Sequence, residues 1–341
     1  MSSRRSNVKG ILLRSARILV LVLLALVITT LNRDFATMSN LLNILRWGSA
    51  ATILAAGLTL VAITGGIDLS VGSVLSLSAC VAAYLMTQTA IGWPLAVAGA
   101  LAASACVGVV NGILVTFAGL PPFVATYGML WVAAGLAGLL MRGSVYYGFP
   151  KGFLFLGAGH LLGVPLPVFL MGILVVVLTF LLQKTTYGRE LYVIGSNIRA
   201  ARLAGIKIDK ARIIAYCISS ICAGMAGLLY IARLNAADSA TGELMLRPAI
   251  AAVTVGGTSL LGGLGSVTGT VTGSFIMTVV LAGMNILNIS SFLQPTVTGG
   301  ILIGTVIADV AMRRRETMEE DVFSLFQNLA GKGSVESKKG G

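Results

Sequence analysis

A carboxylate set between two apolar runs is the first residue in this chain that could do chemistry. Asp68 lies in Gly65-Gly66-Ile67-Asp68-Leu69-Ser70-Val71-Gly72, flanked on both sides by stretches almost free of charge. A charged group at such a depth is costly unless it is satisfied, and it marks either a functional site or a structural one. Three readings are open. Asp68 can cap the following helix by bonding backbone N–H groups beyond Leu69 and Ser70, it can take part in gating or touch a solute, or it can relay protons. Ser70 beside it, Asn111 in a later run, and the Gly256-Gly257-Thr258-Ser259 stretch are the other polar groups embedded in apolar sequence. Thr258 and Ser259, with the backbone of Gly256 and Gly257, could offer hydrogen bonds to the hydroxyls of a passing solute, or could simply let helices pack closely. Asn111 can bond between helices or reach a solute.

Enzymatic chemistry finds no support. The G-x-x-x-x-G-K-[ST] phosphate loop is absent, so the chain is expected not to hydrolyse ATP itself. No carboxylate pair is evident, and the single histidine, His160, excludes a convincing His-based triad or a histidine-rich metal cluster. The four cysteines, Cys80, Cys106, Cys217 and Cys222, all sit in apolar runs without a C-x-x-C pair and read as packing residues. No catalytic residue, metal site or cofactor is therefore expected.

The elements that hold these residues follow from composition. Of 341 residues, 56% are hydrophobic and only 11% charged, far below the roughly 25% charge of a soluble domain. Lipid, rather than water, is the solvent such a chain fits. About 20 apolar residues cross the hydrocarbon layer as a helix. Against that ruler, spans are predicted at Ile11–Leu31, Trp47–Thr64, Val71–Met86, Trp93–Phe117, Phe123–Met141, Leu166–Leu182, Ile213–Ile231, Pro248–Gly262, Val267–Leu287 and Pro295–Val310. The Pro248–Gly262 run is short and Gly-rich and reads as broken or re-entrant. The first run has no small-residue cleavage site before Asn32-Arg33-Asp34, so it reads as a retained span rather than a signal peptide.

Charge distribution tests that count. The net charge of +12 does not mark a nucleic-acid surface, because the basic residues cluster beside apolar runs. Five lie within residues 1–17, seven between Lys184 and Arg212, and six beyond residue 310. Ten crossings starting inside place those three segments on the cytoplasmic side, as the positive-inside bias requires. The predicted organisation is a basic cytoplasmic N-terminus (1–17), a transmembrane domain (18–310) with a cytoplasmic loop at 183–212, and a charged tail (311–341). Within that tail, Glu316–Leu329 could form a surface helix, the last dozen residues read as disordered, and Asp309 is placed to pair with Arg313 one helical turn on. The fold class is an all-α polytopic membrane protein with about ten helices and both termini cytoplasmic. The G-G-x-x-L-x-x-G pattern recurs at Gly65–Gly72 and Gly256–Gly263, a faint echo that is either an internal repeat or coincidence.

The Thr185–Arg212 loop is basic yet reads as structured. Asn197 suits a helix N-cap, Ile198–Ala204 can make two turns, and Gly205 suits the left-handed position that ends a helix. Ala200, Ala201 and Ala204 give that short helix a small side, and Arg199 and Arg202 flank it. Such a face fits either a groove on a separate protein or an ordinary surface. The segment Gly195-Ser196-Asn197-x-x-Ala200-Ala201-Arg202-x-Ala204-Gly205-Ile206 resembles the coupling loop of permeases in the ribose/galactose/xylose ABC importer family. Gly65–Ser73, Ala249–Gly263, Val110-Asn111-Gly112 and Pro122–Thr126 are similar to further motifs of that family, from about Leu42 to Asp309.

The resemblance implies a permease of the bacterial inner membrane that moves a monosaccharide without its own ATPase site. It implies a second permease copy or paralogue, a separate cytoplasmic ABC ATPase and a periplasmic sugar-binding protein, with membrane lipid and no nucleic acid as surroundings. Gly195, Asn197, Arg199, Ala200, Ala201, Arg202, Ala204 and Gly205 would couple to the ATPase. Asp68, Ser70, Asn111, Gly256, Gly257, Thr258 and Ser259 would line the path. Arg142, Tyr146, Tyr147 and Lys151 fall in an outer loop where a binding protein could dock. An ion-coupled secondary transporter using Asp68 and a non-transporting scaffold are the competing classes. Within the family, an autoinducer furanose, an inositol or a nucleoside would also fit.

Overall fold

Apolar runs of this length leave the backbone one economical choice in lipid, the helix that satisfies its own N–H and C=O groups. A computed structural model describes residues 2–311, with side chains from Ser15 onward, and it is built almost wholly of helices. They are α1 (Ser2–Leu31), α2 (Met38–Ile63), α3 (Val71–Gln88), α4 (Trp93–Thr116), α5 (Pro122–Met141), α6 (Lys151–Ala158), α7 (Leu166–Lys184), α8 (Thr186–Ser196), α9 (Ile198–Leu203), α10 (Ile208–Leu234), α11 (Glu243–Val255), α12 (Val267–Ile286) and α13 (Leu293–Ala311). Two short antiparallel ribbons, Tyr146–Tyr147 with Ala236–Ala237 and His160–Leu161 with Val164–Pro165, complete the described part. The helix starts follow from sequence. Prolines occupy the first turns of α4, α5 and α7, where their missing N–H costs nothing.

Among the described residues, eight helices (α2–α5, α7, α10, α12 and α13) are long and apolar enough to cross a membrane. The Ile11–Leu31 span falls inside α1, whose apolar part is Ser15–Leu31. The Pro248–Gly262 span does not form as drawn. Its helix, α11, has 13 residues, starts before Pro248 and stops at Val255. At 1.5 Å per residue that is about 20 Å, short of the ~30 Å hydrocarbon layer. Beyond it the chain runs irregularly through Gly256–Ser266, with Gly257, Gly262 and Gly263 at φ of 79°, 87° and 77°. The other predicted spans match helices to within a few residues, except that α2 begins well before Trp47 and α10 before Ile213. The tail beyond residue 311, with the predicted Glu316–Leu329 helix and Arg313, lies outside the described residues.

The core is layered around α2 and α10, which pack on α3, α4, α11 and α12. Ile53, Leu54, Leu60, Ile63, Leu75, Tyr216, Ile231 and Met277 are fully buried there. Small residues bring the backbones together, as expected where lipid removes the hydrophobic drive between helices. A Cβ on Gly108 of α4 would fall 2.6 Å from the Tyr216 carbonyl of α10, and Gly273 of α12 lies directly on the Ala252 carbonyl of α11. The alternating helices define two ends. One carries Thr185–Arg212 and the 64–70 and 256–266 turns. The other carries both ribbons and α6.

Candidate functional site

Asp68 is fully buried, and the chain itself satisfies it. Its Oδ1 accepts from the Ser70 amide at 3.1 Å and the Ser70 hydroxyl at 2.6 Å, and its Oδ2 accepts from the Ser219 hydroxyl at 3.0 Å. Asn111 Nδ2 donates to Ser70 Oγ at 2.8 Å, while its Oδ1 has no partner. The network ties the α2–α3 turn to α4 and α10. Asp68 is thus not the N-cap of α3. Ser70 holds that position without a side-chain cap bond, because the carboxylate closes a tight turn on the Ser70 amide and turns its other oxygen to α10. Asn111 makes the interhelical bond.

The 256–259 turn is likewise engaged by its own chain. Arg17 Nη1 donates to the Gly256 carbonyl at 2.5 Å, and the guanidinium fills the space where a Gly257 side chain would stand. Thr258 Oγ1 accepts from the Ser266 amide at 3.4 Å, and Ser259 Oγ donates to Asp309 Oδ2 at 2.5 Å. The two echoing glycine motifs close their helices alike, but one residue out of step. Gly65 and Gly257 take the left-handed conformation, and the amides of Gly66 and Thr258 reach back five residues to Val61 and Val253.

Between these turns sits the basic segment. Thr185 caps α8 through the Gly188 amide, and Asn197 caps α9 by accepting from the amides of Arg199 and Ala200. Gly205 takes φ 74°, as a helix-ending glycine should. The predicted small face needs correction. Ala201 is buried against the chain's own helices, whereas Ala200 and Ala204 are exposed with Arg199 and Arg202. The residue sequence reading passed over is Leu203, which is 91% exposed at the centre of that surface. Arg199 and Arg202 beside it are exposed as well.

The basic segment is fastened to three elements behind it. Gly195 of α8 lies against the Ile63 carbonyl at the end of α2, and Gly263 donates to that same carbonyl at 2.9 Å. The Tyr192 hydroxyl donates to the Gly265 carbonyl at 2.9 Å, and the Tyr187 hydroxyl to the Ala211 carbonyl at 3.0 Å. Burial pushes both phenols above their ordinary pKa, so both remain donors.

The opposite end holds a cavity of about 370 Å³ between α2, α10, α11 and α12. None of Asp68, Ser70, Asn111, Gly256, Gly257, Thr258 and Ser259 lines it. Asn40, Asn43 and Trp47 come from α2, Tyr230 and Arg233 from α10, Pro248 from α11, Ser274, Thr278 and Asn285 from α12, and Gln294 from α13. The Arg233 guanidinium lies 4.6 Å over the Trp47 ring, and Tyr230 meets Trp47 edge-on at 5.2 Å. Gln294 Nε2 donates to Asn285 Oδ1 at 2.7 Å across the rim. Pro248 lacks the N–H that would bond the Leu244 carbonyl, loosening the short helix beside the cavity. The signal was present in the amides Asn40, Asn43, Asn285 and Gln294, which end otherwise apolar runs and so pass for boundary residues.

At the same end, Arg142, Tyr147 and Lys151 are exposed, Tyr146 is half-buried in its ribbon, and His160 contacts Arg46. Among the described residues no three of His, Cys, Asp or Glu gather as a metal site. Cys80 and Cys222 are buried and Cys217 is half-buried, but Cys106 is exposed on the apolar flank.

Long apolar helices packed through glycines mark a multi-pass membrane protein. The family described as branched-chain amino acid transport system / permease component matches residues 40–307, and the chain belongs to it. The chain is 38% identical over 313 residues to the ribose import permease protein RbsC of Escherichia coli (strain K12), covering 91% of this chain and 97% of the relative. It is 34% identical over 275 residues to the D-allose transport system permease protein AlsC of the same organism, 81% of this chain and 84% of the relative. It is 31% identical over 311 residues to the L-arabinose ABC transporter permease protein AraH of Azospirillum brasilense, 91% of each. No solved structure matches the chain.

Proposed function

We propose that the chain is the membrane-spanning permease subunit of an ABC importer that takes up a monosaccharide across the bacterial inner membrane. The relatives that carry ribose, allose and arabinose support the sugar class. The basic end, with Thr185–Arg212, faces the cytoplasm by the positive-inside bias. There a separate ATPase docks on α9, meeting Arg199, Ala200, Arg202, Leu203 and Ala204. A sugar-loaded binding protein docks at the other end, on Arg142, Tyr147 and Lys151, above the cavity that receives the sugar.

The observation that carries this reading is the three-way backbone contact of Gly195, Ile63 and Gly263. A push on α8–α9 reaches the ends of α2 and of the α11–α12 turn without passing through a flexible side chain. Both α2 and α11 run on to the cavity, so ATP-driven closure at one end can alter access at the other. A second permease copy pairs along α13, the least covered of the long helices. The ion-coupled reading is weaker, because Asp68 is closed off and holds three internal donors.

The test is to tag the chain, extract it gently and identify what copurifies. A two-copy ATPase, with sugar uptake that requires its hydrolysis, is the expected result. Recovery of the chain alone, with solute flux in vesicles lacking ATP, would overturn the assignment.

A further inference from the structure

Ser274 is one of four helix hydroxyls, with Thr52, Thr179 and Ser220, that are buried without a partner among the described residues, and of the four it alone lines the cavity. Thr59, Thr270 and Thr278 each donate to the carbonyl four residues before them, as hydroxyls in membrane helices do. Ser274 Oγ is fully buried, lines the cavity, and has no partner in the protein. A buried polar group left unpaired is unfavourable, and at a cavity wall a guest molecule can supply the missing partner.

We infer that the cavity is a monosaccharide-binding site within the permease, with Ser274 as the floor contact for a sugar hydroxyl. This rests on the importer reading and deepens it, because the permease then discriminates among solutes instead of passing whatever it is given. The remaining walls fit the same ligand. The Asn285–Gln294 pair at the rim and Asn43 on α2 offer amide donors and acceptors, which suit hydroxyls of either polarity. Trp47 and Tyr230 present aromatic carbon to the C–H faces of a sugar ring. No carboxylate lines the cavity, so nothing there recruits a cation or an amine, and Arg233 can donate to ring or hydroxyl oxygen. The volume of about 370 Å³ is at the small end of ligand pockets, suited to one monosaccharide and not to a disaccharide.

The test uses the full-length chain in nanodiscs with no partner protein. Trp93→Phe and Trp131→Phe leave Trp47 as the reporter, since these are the three tryptophans of the chain. D-ribose, D-allose and L-arabinose are titrated against its fluorescence, with choline as a cationic control. Saturable change with at least one sugar and none with choline is expected. Ser274→Ala should weaken that binding by about three- to tenfold, the worth of one hydrogen bond. Gln294→Leu, at the opposite side of the cavity, should weaken it as well. No saturable change with any of the three sugars, or binding untouched by both substitutions, overturns the inference. Uptake by the wild-type chain assembled with its ATPase and binding protein is measured in parallel. Active uptake without any Trp47 response sinks this site alone, whereas absent uptake sinks the importer reading on which it stands.

Discussion

Gly195 and Ile63 meet backbone to backbone. A Cβ on Gly195 would collide with the Ile63 carbonyl oxygen and would stand 2.5 Å from the Gly263 amide that bonds to it. Gly195→Ala therefore forces α8 away from α2. Overpacking of this kind typically destabilises by roughly 1–3 kcal/mol. The assembled variant should go on hydrolysing ATP while sugar uptake per ATP falls, and a ratio equal to that of the wild type would remove Gly195 from the transmitting contact.

Leu203 and Ala201 lie two residues apart on α9 and should respond in opposite ways. Leu203→Asp changes an exposed side chain, so the melting of the chain should shift by no more than about 0.5 kcal/mol, yet ATPase capture in a pull-down should be lost. Ala201→Glu places a charge in a buried position and should destabilise the chain itself by several kcal/mol. Full ATPase capture by Leu203→Asp would refute α9 as the docking helix.

Asp68 is predicted to be architectural. In Asp68→Asn the side-chain N–H₂ faces one of three donors now held by the carboxylate, for a loss of about 1–3 kcal/mol in unfolding experiments. Uptake should persist when a protonophore dissipates the proton gradient while ATP is maintained. Collapse of wild-type uptake under that treatment would revive Asp68 as an ion-coupling group.

Gly300 and Gly304 form a G-x-x-x-G pair on α13, and nothing lies within 4 Å of the position a Cβ would take at either. Such pairs let two helices approach closely. Gly300→Leu with Gly304→Leu should shift the purified chain from dimer to monomer by light scattering without lowering its melting temperature. A dimer that survives both changes would place the copy-to-copy contact elsewhere.

Sequence reading located most helices because hydropathy alone marks stretches that must satisfy their backbone internally. It placed Asn197 and Gly205 correctly, since capping depends on a few local dihedrals. A helix of six residues offers too little periodicity to show that Ala201 faces the bundle. A lone leucine in sequence carries no sign of its exposure, so Leu203 emerges only from the structure. Pro248 misled in another way. It reads as the start of a helix, but the helix begins at Glu243 and packing tolerates the proline inside. The cavity was invisible, because its lining joins α2, α10, α11, α12 and α13, residues up to 254 positions apart such as Asn40 and Gln294. No local pattern announces such a meeting.

The arginines beside that cavity bear on the energy economy of the cell that carries this protein. Arg233 lines it, and Arg46, bonded to Asn43 of the wall, shares the adjoining hollow with Trp47 and Arg233. Two fixed guanidiniums with no carboxylate among the lining residues make a poor resting place for a proton carrier, sodium or potassium. A neutral molecule feels little of that field. If sugar enters at this rim, as proposed, the same rim guards the membrane voltage, and an opening of the path can pass nutrient without discharging the battery across the bilayer.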